Sequence, residues 1–477
     1  MSLPRHAQTG PVPEAAVLEG LPPVHEVSAA EVAARISGGP RLVVLDDDPT
    51  GTQTVTDVPV LTSWTVDDLR WALRQDSTVF FVLTNTRSLS PEDAAARNRE
   101  VVRALRTASA AEGTGYVLAS RGDSTLRGHF PLETDVLTEE LGTVDGVVLV
   151  PAYIEAGRLT VNSHHWMRTA DGLLPVGESE FARDTTFGYR SSSLPEWVEE
   201  KTGGRIPADE VLRVTLDDLR GGGPAHTARL LSSLRGGRTA VVDAVCDDDL
   251  RVLALALAQA EENGTRLLYR VGPSFVRARA GQAAQAPLTP AELHPLRGDA
   301  PHGLIVVGSH VALTTRQLDR LRERGGIAEY VLDVALLLDE ERRDAHIAEV
   351  AAAAAGALDS ADAVIRTSRV LVTGDDADDS LAISRRVSAA LVEAVRQVNA
   401  TGRPAFVVAK GGITSSDTAT HGLEIRRAWA RGTLLPGIVS LWEPADGPAA
   451  GIPYIVFAGN VGGADALADA LDLLRSA

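Results

Sequence analysis

Short apolar runs alternate with longer amphipathic stretches along most of the chain. The apolar runs are rich in Val, Leu and Ile and end in Gly, Asp, Asn or Ser. Ala/Arg/Glu/Leu segments follow them. This is the rhythm of βαβ units, and it predicts mostly parallel sheets. Strands are predicted at 41–46, 79–84, 116–120 and 147–150. One helix starts near Ser90-Pro91-Glu92, with Ser90 as N-cap and Pro91 at the first helical position. Another runs over 131–141. Residues 151–235 lose the pattern, with Trp166, Phe181, Phe187, Tyr189 and Trp197 scattered among Gly, Ser and Pro. They read as a loop-rich insertion or a cap over a site. The rhythm returns with strands at 239–243 and 266–271 around a helix at 247–263.

The stretch 277–303 is rich in Ala, Pro, Gly and Gln and lacks periodicity, so it reads as a linker. Beyond it a second series follows. Strands are predicted at 304–307, 330–332, 363–372, 405–409, 438–441 and 454–457. Helices are predicted at 314–324, 340–358, 379–398 and 464–474. The fold class is therefore α/β, with two domains, each a mostly parallel sheet flanked by helices. The expected layout is an N-terminal extension at 1–40, a first domain at 41–276, the linker, and a second domain at 304–477.

Composition narrows the function. A chain of 477 residues, 44% hydrophobic and 23% charged, has material for more than one core. The net charge of −18 and the absence of a basic stripe speak against nucleic acid as a partner. A single cysteine, Cys246, excludes an internal disulfide framework and a Cys-rich zinc site. No apolar stretch approaches the roughly 20 residues of a membrane span. The first residues have no apolar signal-peptide core. A cytoplasmic protein without a membrane partner is expected, and a homo-oligomer is left open. Only two of the 46 basic residues are lysines, Lys201 and Lys410. Genome bias is enough to explain that, yet it draws attention to the setting of Lys410.

In α/β sheets ligands bind at the carboxyl ends of strands. Five polar clusters stand out at such places, and one further turn is of the same kind. Asp46-Asp47-Asp48-Pro49-Thr50-Gly51 stacks three carboxylates beside hydroxyl and backbone donors. Such crowding is costly without cations or hydrogen bonds. Thr84-Asn85-Thr86-Arg87 offers a guanidinium that can clamp a carboxylate bidentately. Ser120-Arg121-Gly122-Asp123-Ser124-Thr125-Leu126-Arg127-Gly128-His129 sets two arginines around an aspartate placed to accept a hydroxyl proton. The alternative for each is ordinary loop chemistry: a turn, a cap or a surface ion pair. Lys410-Gly411-Gly412-Ile413-Thr414 and Gly459-Asn460-Val461-Gly462 are Gly-rich strand-to-helix turns suited to phosphate, as is Gly308-Ser309-His310. None is a Walker A loop. The acidic run at 374–379 reads as a solvated helix start. His164-His165 read as ordinary polar residues of the loop-rich segment, since no third metal ligand has suitable spacing.

Taken together, these motifs resemble the four-carbon acid sugar kinase family, in the right order over 42–474. The resemblance rests on Asp47–Gly51, on the Ser120–His129 string, on Gly411–Thr414 and on Gly459–Gly462. It implies a substrate-binding first domain, a nucleotide-binding second domain, and transfer of phosphate from ATP to the terminal hydroxyl of a threonate, erythronate or 3-oxo-tetronate. It implies ATP and Mg²⁺ as cofactors, with Ser309, Gly411, Gly412, Ile413, Thr414 and Gly459 contacting nucleotide. Asn460 and Gly462 belong to the same set, and Lys410 would neutralise phosphate charge. Asp47 or Asp123 would take the hydroxyl proton. Arg87, Arg121 and Arg127 would hold the acid, joined by Asp48, Thr50, Gly51, Asn85, Ser124 and His129. The metal ligands are unknown from sequence. The chain departs from the family pattern at Ile413, where an acidic residue is usual, and at Val461, where Phe is usual. The first Asp of the triple and Pro49 are also less usual. These departures keep two alternatives: a non-catalytic sugar-acid or nucleotide sensor, and a kinase of a different small sugar.

Overall fold

The computed structural model describes residues 10–298, 300–368 and 377–477, with the backbone alone over 377–382. The chain divides into two compact units, Met1–Thr54 with Trp64–Ala284, and Val55–Ser63 with Gln285–Ala477. Each is a sheet flanked by helices, the α/β class expected.

In the first unit the strand order is 79–83, 41–46, 116–121, 267–271, 146–150, 238–242, 212–214. Every neighbouring pair is parallel. The central strands are apolar almost throughout because both faces are covered; Leu42, Val43, Val44 and Leu45 are all buried. From Arg41–Asp46 the chain moves to Val79–Leu83 on one side, then crosses back to Tyr116–Arg121 on the other. The strand order therefore reverses at Arg41–Asp46, and the crevice at such a reversal is where ligands bind in open α/β sheets. The helix Pro91–Glu112 has the predicted start, with Ser90 Oγ accepting from Asp93 N at 3.1 Å and Pro91 in its first turn.

The 151–235 region is more ordered than its sequence suggests. Arg158–Val161, His164–Thr169 and Gly172–Pro175 form an antiparallel three-stranded sheet. Its first hairpin turns at Asn162 and Ser163, both with positive φ, 52° and 63°. This two-residue turn lacks the usual Asn-Gly signature. It is stabilised from outside: the Asp243 carboxylate accepts from Asn162 N at 2.8 Å and Ser163 N at 2.7 Å. His164 and His165, expected in a loop, instead open a strand.

Residues 10–40 pack on the first unit. Val12 pairs with Leu173, and Val27 N donates to Asp248 Oδ1 at 3.0 Å. Of the 277–303 stretch, residues 277–279 complete the helix Pro273–Arg279, and Pro290–Leu293 forms a helical turn in the second unit.

In the second unit the order is 327–332, 362–367, 304–307, 407–410, 454–457, 438–444, 427–435, 58–61. The first five are parallel and the last three antiparallel. Arg427–Leu435, unanticipated from sequence, pairs with Ile438–Pro444 across a tight turn at Pro436-Gly437. Ile305, Val307, Val408, Leu441, Ile455 and Phe457 form the core on which Leu467 and Leu471 of the last helix pack. The strand predicted over 363–372 is Asp362–Thr367; its 369–372 end and the 374–376 part of the acidic run lie outside the described residues. Among the described residues no helix is long and apolar enough to cross a membrane.

Candidate active site

The charged motifs of the first unit converge at the strand reversal. Asp46 and Arg121 are register partners at the ends of adjacent strands. Arg121 Nη1 donates to Asp46 Oδ1 at 2.9 Å and lies 3.8 Å from Asp47 Oδ1. Arg87 forks onto Asp47, with Nη2 to Oδ1 at 2.5 Å and Nε to Oδ2 at 3.1 Å, and reaches Asp48 Oδ2 at 3.2 Å. Asp48 Oδ1 accepts from Thr50 N at 2.9 Å and from the Thr50 hydroxyl. Arg127 Nε donates to Asp123 Oδ2 at 2.7 Å, and Thr125 caps the same carboxylate through its N–H and hydroxyl. Asp46 and Asp47 are almost wholly enclosed, whereas the side chains of Asp48, Arg87 and Arg127 are each 20–25% exposed. The sequence string thus becomes an alternating layer of carboxylates and guanidiniums with Arg87 and Arg127 at the open edge and Arg121 enclosed.

A second layer lies beneath. Arg270 Nη1 donates to Glu133 Oε2 at 2.5 Å and Ser120 Oγ at 2.7 Å, and Thr86 Oγ1 donates to Glu133 Oε1. Sequence reading missed this network. The signal was an arginine inside the apolar strand Leu267–Val271, which demands a buried acid. A glycine makes room for each layer. A Cβ on Gly122 would stand 2.4 Å from Arg270 Nη2, and one on Gly51 would fall within 1.7 Å of Asp46 Oδ2. A small cleft here is lined by Gly122, Asp123, Leu126, Trp197 and Arg270.

The electrostatics divide the carboxylates. Burial pushes Asp46 up to about 7, against the pull of Arg121. Burial also raises Asp47, opposed by Arg87. For Asp48 and Asp123 burial acts the same way but loses. Arg87 and Arg121 hold Asp48 below its usual value, and Arg87, Arg127 and the Thr125 bonds hold Asp123 well below it. At neutral pH the open face carries fixed anions and fixed guanidiniums side by side.

Other predicted residues take different positions. Asn85 opens the short turn Thr86–Ser88 in the left-handed region, φ 51°. Ser124 is buried, and its carbonyl accepts from His165 Nε2 at 2.7 Å. His129 lies against the Leu89 carbonyl at 3.1 Å and edge-on to Phe187; no hydrogen bond links it to the aspartates.

In the second unit three Gly-rich turns follow three neighbouring strands, Leu304–Val307, Val407–Lys410 and Tyr454–Phe457. They close on one another around Ser309. A Cβ on Gly459 would stand 2.7 Å from Ser309 Oγ, and one on Gly411 3.2 Å from Ser309 Cβ. Gly411 has φ 126°, a conformation that leaves little alternative to glycine. Thr414 Oγ1 sits 2.3 Å from where a Gly308 Cβ would be. Thr314, from the helix Ala312–Arg324, donates its hydroxyl to the Gly459 carbonyl at 3.1 Å and can accept from the Ser309 hydroxyl, also at 3.1 Å. Gln317 ties down Val461 O at 3.0 Å and Gly463 O at 2.8 Å. Asn460, Gly462 and Ile413 are exposed beside these turns, with Ile413 at 60%. Gly412 begins a short helix. Lys410 is wholly buried. Its Nζ donates to Ala458 O at 2.6 Å and lies 3.9 Å from the Phe457 ring centroid; burial lowers it to about 7. It braces one turn against the next from below rather than standing at the surface. The turns suit phosphate oxygens through their backbone N–H groups and the Ser309 and Thr414 hydroxyls, and glycine lets the three pack this closely on one another. Among the described residues, no group of three or more His, Cys, Asp or Glu is arranged to hold a metal.

Fold and site together define a two-unit α/β protein with an arginine–aspartate cluster in one unit and a glycine-lined cradle in the other. Residues 42–279 match the model of a sugar-binding N-terminal domain, and 304–467 that of a nucleotide-binding C-terminal domain. The chain belongs to the four-carbon acid sugar kinase family. It is 27% identical to a D-threonate kinase of Bordetella bronchiseptica over 450 residues, 92% of this chain and 98% of that one. It is 27% identical to a D-erythronate kinase of Heliobacterium modesticaldum over 275 residues, 57% of this chain and 56% of that protein, so this second match spans little more than half of either. The fold is shared with a Haemophilus influenzae protein of the DUF1537 family (TM-score 0.62, 20% identity, 91% of this chain and all of that one).

Proposed function

We propose that this protein transfers the terminal phosphoryl group of ATP to the terminal hydroxyl of a four-carbon sugar acid, of the threonate, erythronate or 3-oxo-tetronate kind. The observation that carries the reading is the open edge of the first unit. Arg87 and Arg127 present guanidiniums there that buried aspartates hold in place. Planar forks of this kind match a carboxylate bidentately. Arg121, deeper, sets the charge of Asp46 and Asp47. Thr50, Gly51, Asn85, Ser124 and Asp48 are assigned to the acid's hydroxyls, and His129 to shaping the wall.

Asp123 lines the cleft and is the proton acceptor in this reading. Reach comes before proton affinity. When the substrate carboxylate neutralises Arg87 and Arg127, their hold on Asp123 weakens and its affinity for a proton rises. The hydroxyl oxygen then bonds to the terminal phosphorus, its proton passes to Asp123, and the bond to the bridging oxygen breaks with ADP as leaving group. Asp47, chelated by Arg87, is assigned to holding that arginine. Ser309, Gly411, Gly412, Ile413, Thr414, Gly459, Asn460 and Gly462 are assigned to the nucleotide, with Lys410 supporting the turns from beneath. Mg²⁺ carried with ATP supplies charge neutralisation at the phosphates; positioning is the task of this chain. ATP as donor sets the reaction in the cytoplasm.

A second reading, a sensor without turnover, is favoured by one observation: exposed Ile413 stands where the family usually has an acid. ADP release measured with ATP and a panel of four-carbon acids separates the two. Turnover with a four-carbon acid supports the kinase; tight binding without ADP release supports the sensor.

A further inference from the structure

The loop carrying Asp123 and Arg127 is held from a second direction, by the insertion that follows it in sequence. His165 is completely buried in the strand His164–Thr169. Its Nε2 lies 2.7 Å from Ser124 O and its Nδ1 2.9 Å from Thr160 Oγ1. A carbonyl only accepts, so Nε2 carries the proton and Nδ1 accepts from the threonine hydroxyl. Burial lowers this histidine to about 4, which keeps the ring neutral and the arrangement fixed at physiological pH. One residue on, Tyr189 Oη donates to Thr125 O at 2.6 Å. Leu126 adopts φ 67°, costly for a branched side chain, and is buried in one cluster with Tyr189, Leu194 and Trp197. Arg127 lies with its guanidinium carbon 4.8 Å from the Phe181 ring centroid and Nη1 3.6 Å from Asp184 Oδ2. Four consecutive residues, 124 to 127, are thus each gripped by the 160–197 region.

We propose that His165 and Tyr189 are positioning residues. They fix the backbone between Asp123 and Arg127, at Ser124 and Thr125, and through it the Asp123 carboxylate and the Arg127 guanidinium. Neither ring makes a hydrogen bond to an ionised group of the cluster; both act through the carbonyls of Ser124 and Thr125. A buried neutral histidine does this well. It delivers one donor to a carbonyl and takes one bond in return, leaving no charge near the carboxylates. The effect on turnover rests on the kinase reading above, whereas the grip on the loop does not.

The experiment uses the full chain with three variants: His165→Ala, His165→Gln, which restores a donor toward Ser124 O, and Tyr189→Phe, which removes only a hydroxyl. Two readouts are taken: steady-state kinetics with the best four-carbon acid, and amide hydrogen exchange across residues 123–127. The expected result for His165→Ala is a fall in kcat on the order of 10²-fold, as misplaced catalytic groups give. The KM for ATP stays unchanged and exchange in the loop is faster. His165→Gln should recover most of the rate and slow the exchange again. Should His165→Ala not fold, Tyr189→Phe carries the same test with a smaller change in packing. Wild-type kcat and exchange in a folded His165→Ala or in Tyr189→Phe would overturn the proposal. So would equal impairment in the Ala and Gln variants, which points to volume rather than the donor. If no four-carbon acid is turned over by the wild type, yet loop exchange rises in Ala and not in Gln, the positioning role stands and the kinase reading falls.

Discussion

The two candidate ligand surfaces are built by opposite means. In the first unit the open edge is made of charged side chains, each held by another: Arg87 by Asp47 and Asp48, and Arg127 by Asp123, with the Arg121–Asp46 pair enclosed behind them. In the second unit it is made of glycine backbone and hydroxyls, with the lone nearby lysine buried beneath. The difference suits the two ligands proposed. A small carboxylate has its charge on two oxygens in one plane and is best met by a rigid fork. A polyphosphate spreads charge over many oxygens and is best met by a row of N–H groups with nothing in the way. The first design depends on pairing, and the second on turns packed too closely for a side chain.

The comparison breaks hardest at Asp123. Asp123→Asn keeps the shape but removes the proton acceptor, and should lower kcat by about 10²–10⁴-fold with little change in KM for ATP, measured by coupled ADP release. Next is Arg87→Met, which leaves the nearly inaccessible Asp47 without its fork. Breaking a buried pair costs about 3–5 kcal/mol, read by denaturant unfolding, and KM for the sugar acid should rise. A change in the second unit should be felt through space alone. Gly459→Val pushes a side chain into Ser309 and should weaken ATP by about 1–3 kcal/mol, roughly tenfold or more in KM, while sparing the acid.

The smallest effect sharpens the contrast through pH, with slopes of at most about 1.4 kcal/mol per pH unit for one group. Asp46 has a folded pKa raised to about 7, so its contribution to stability is present below about 4 and is lost as pH rises toward 7. Relative to Asp46→Asn, wild-type stability should decline across that window. Lys410 has a folded pKa lowered to about 7, so the unfolded chain binds more protons from there to about 10.5. Relative to Lys410→Met, wild-type stability should rise with pH over that range. Equal slopes in wild type and variant would remove the corresponding buried charge from the account.

Much of this was legible in the sequence, for identifiable reasons. Strands buried on both faces write themselves as apolar runs, so Arg41–Asp46 and Leu304–Val307 stand where they were expected. The motifs at their ends followed, since carboxyl ends are where such sheets bind. What stayed hidden depends on partners distant in sequence. The hairpin at Asn162-Ser163 needs Asp243 to satisfy its N–H groups, and no local residue announces it. Arg427–Leu435 has glycine and arginines in a strand that pairs with Val58–Leu61, more than 360 residues earlier. The site was read as a surface layer, while its support through Arg270, Glu133, His165 and Tyr189 was not. Each of these is a single polar residue whose partner only folding supplies. His129 and Lys410 show the converse: a residue inside a motif can be turned into the protein.

The division of labour between the two surfaces has one direct measurement. It is the calorimetric titration of a non-hydrolysable ATP analogue, and separately of a four-carbon acid, into wild type, Arg87→Met and Gly459→Val. The account predicts that Arg87→Met loses the acid and keeps the analogue, and that Gly459→Val does the reverse. Loss of both ligands in each folded variant, or loss of the analogue on changing Arg87 alone, would contradict it.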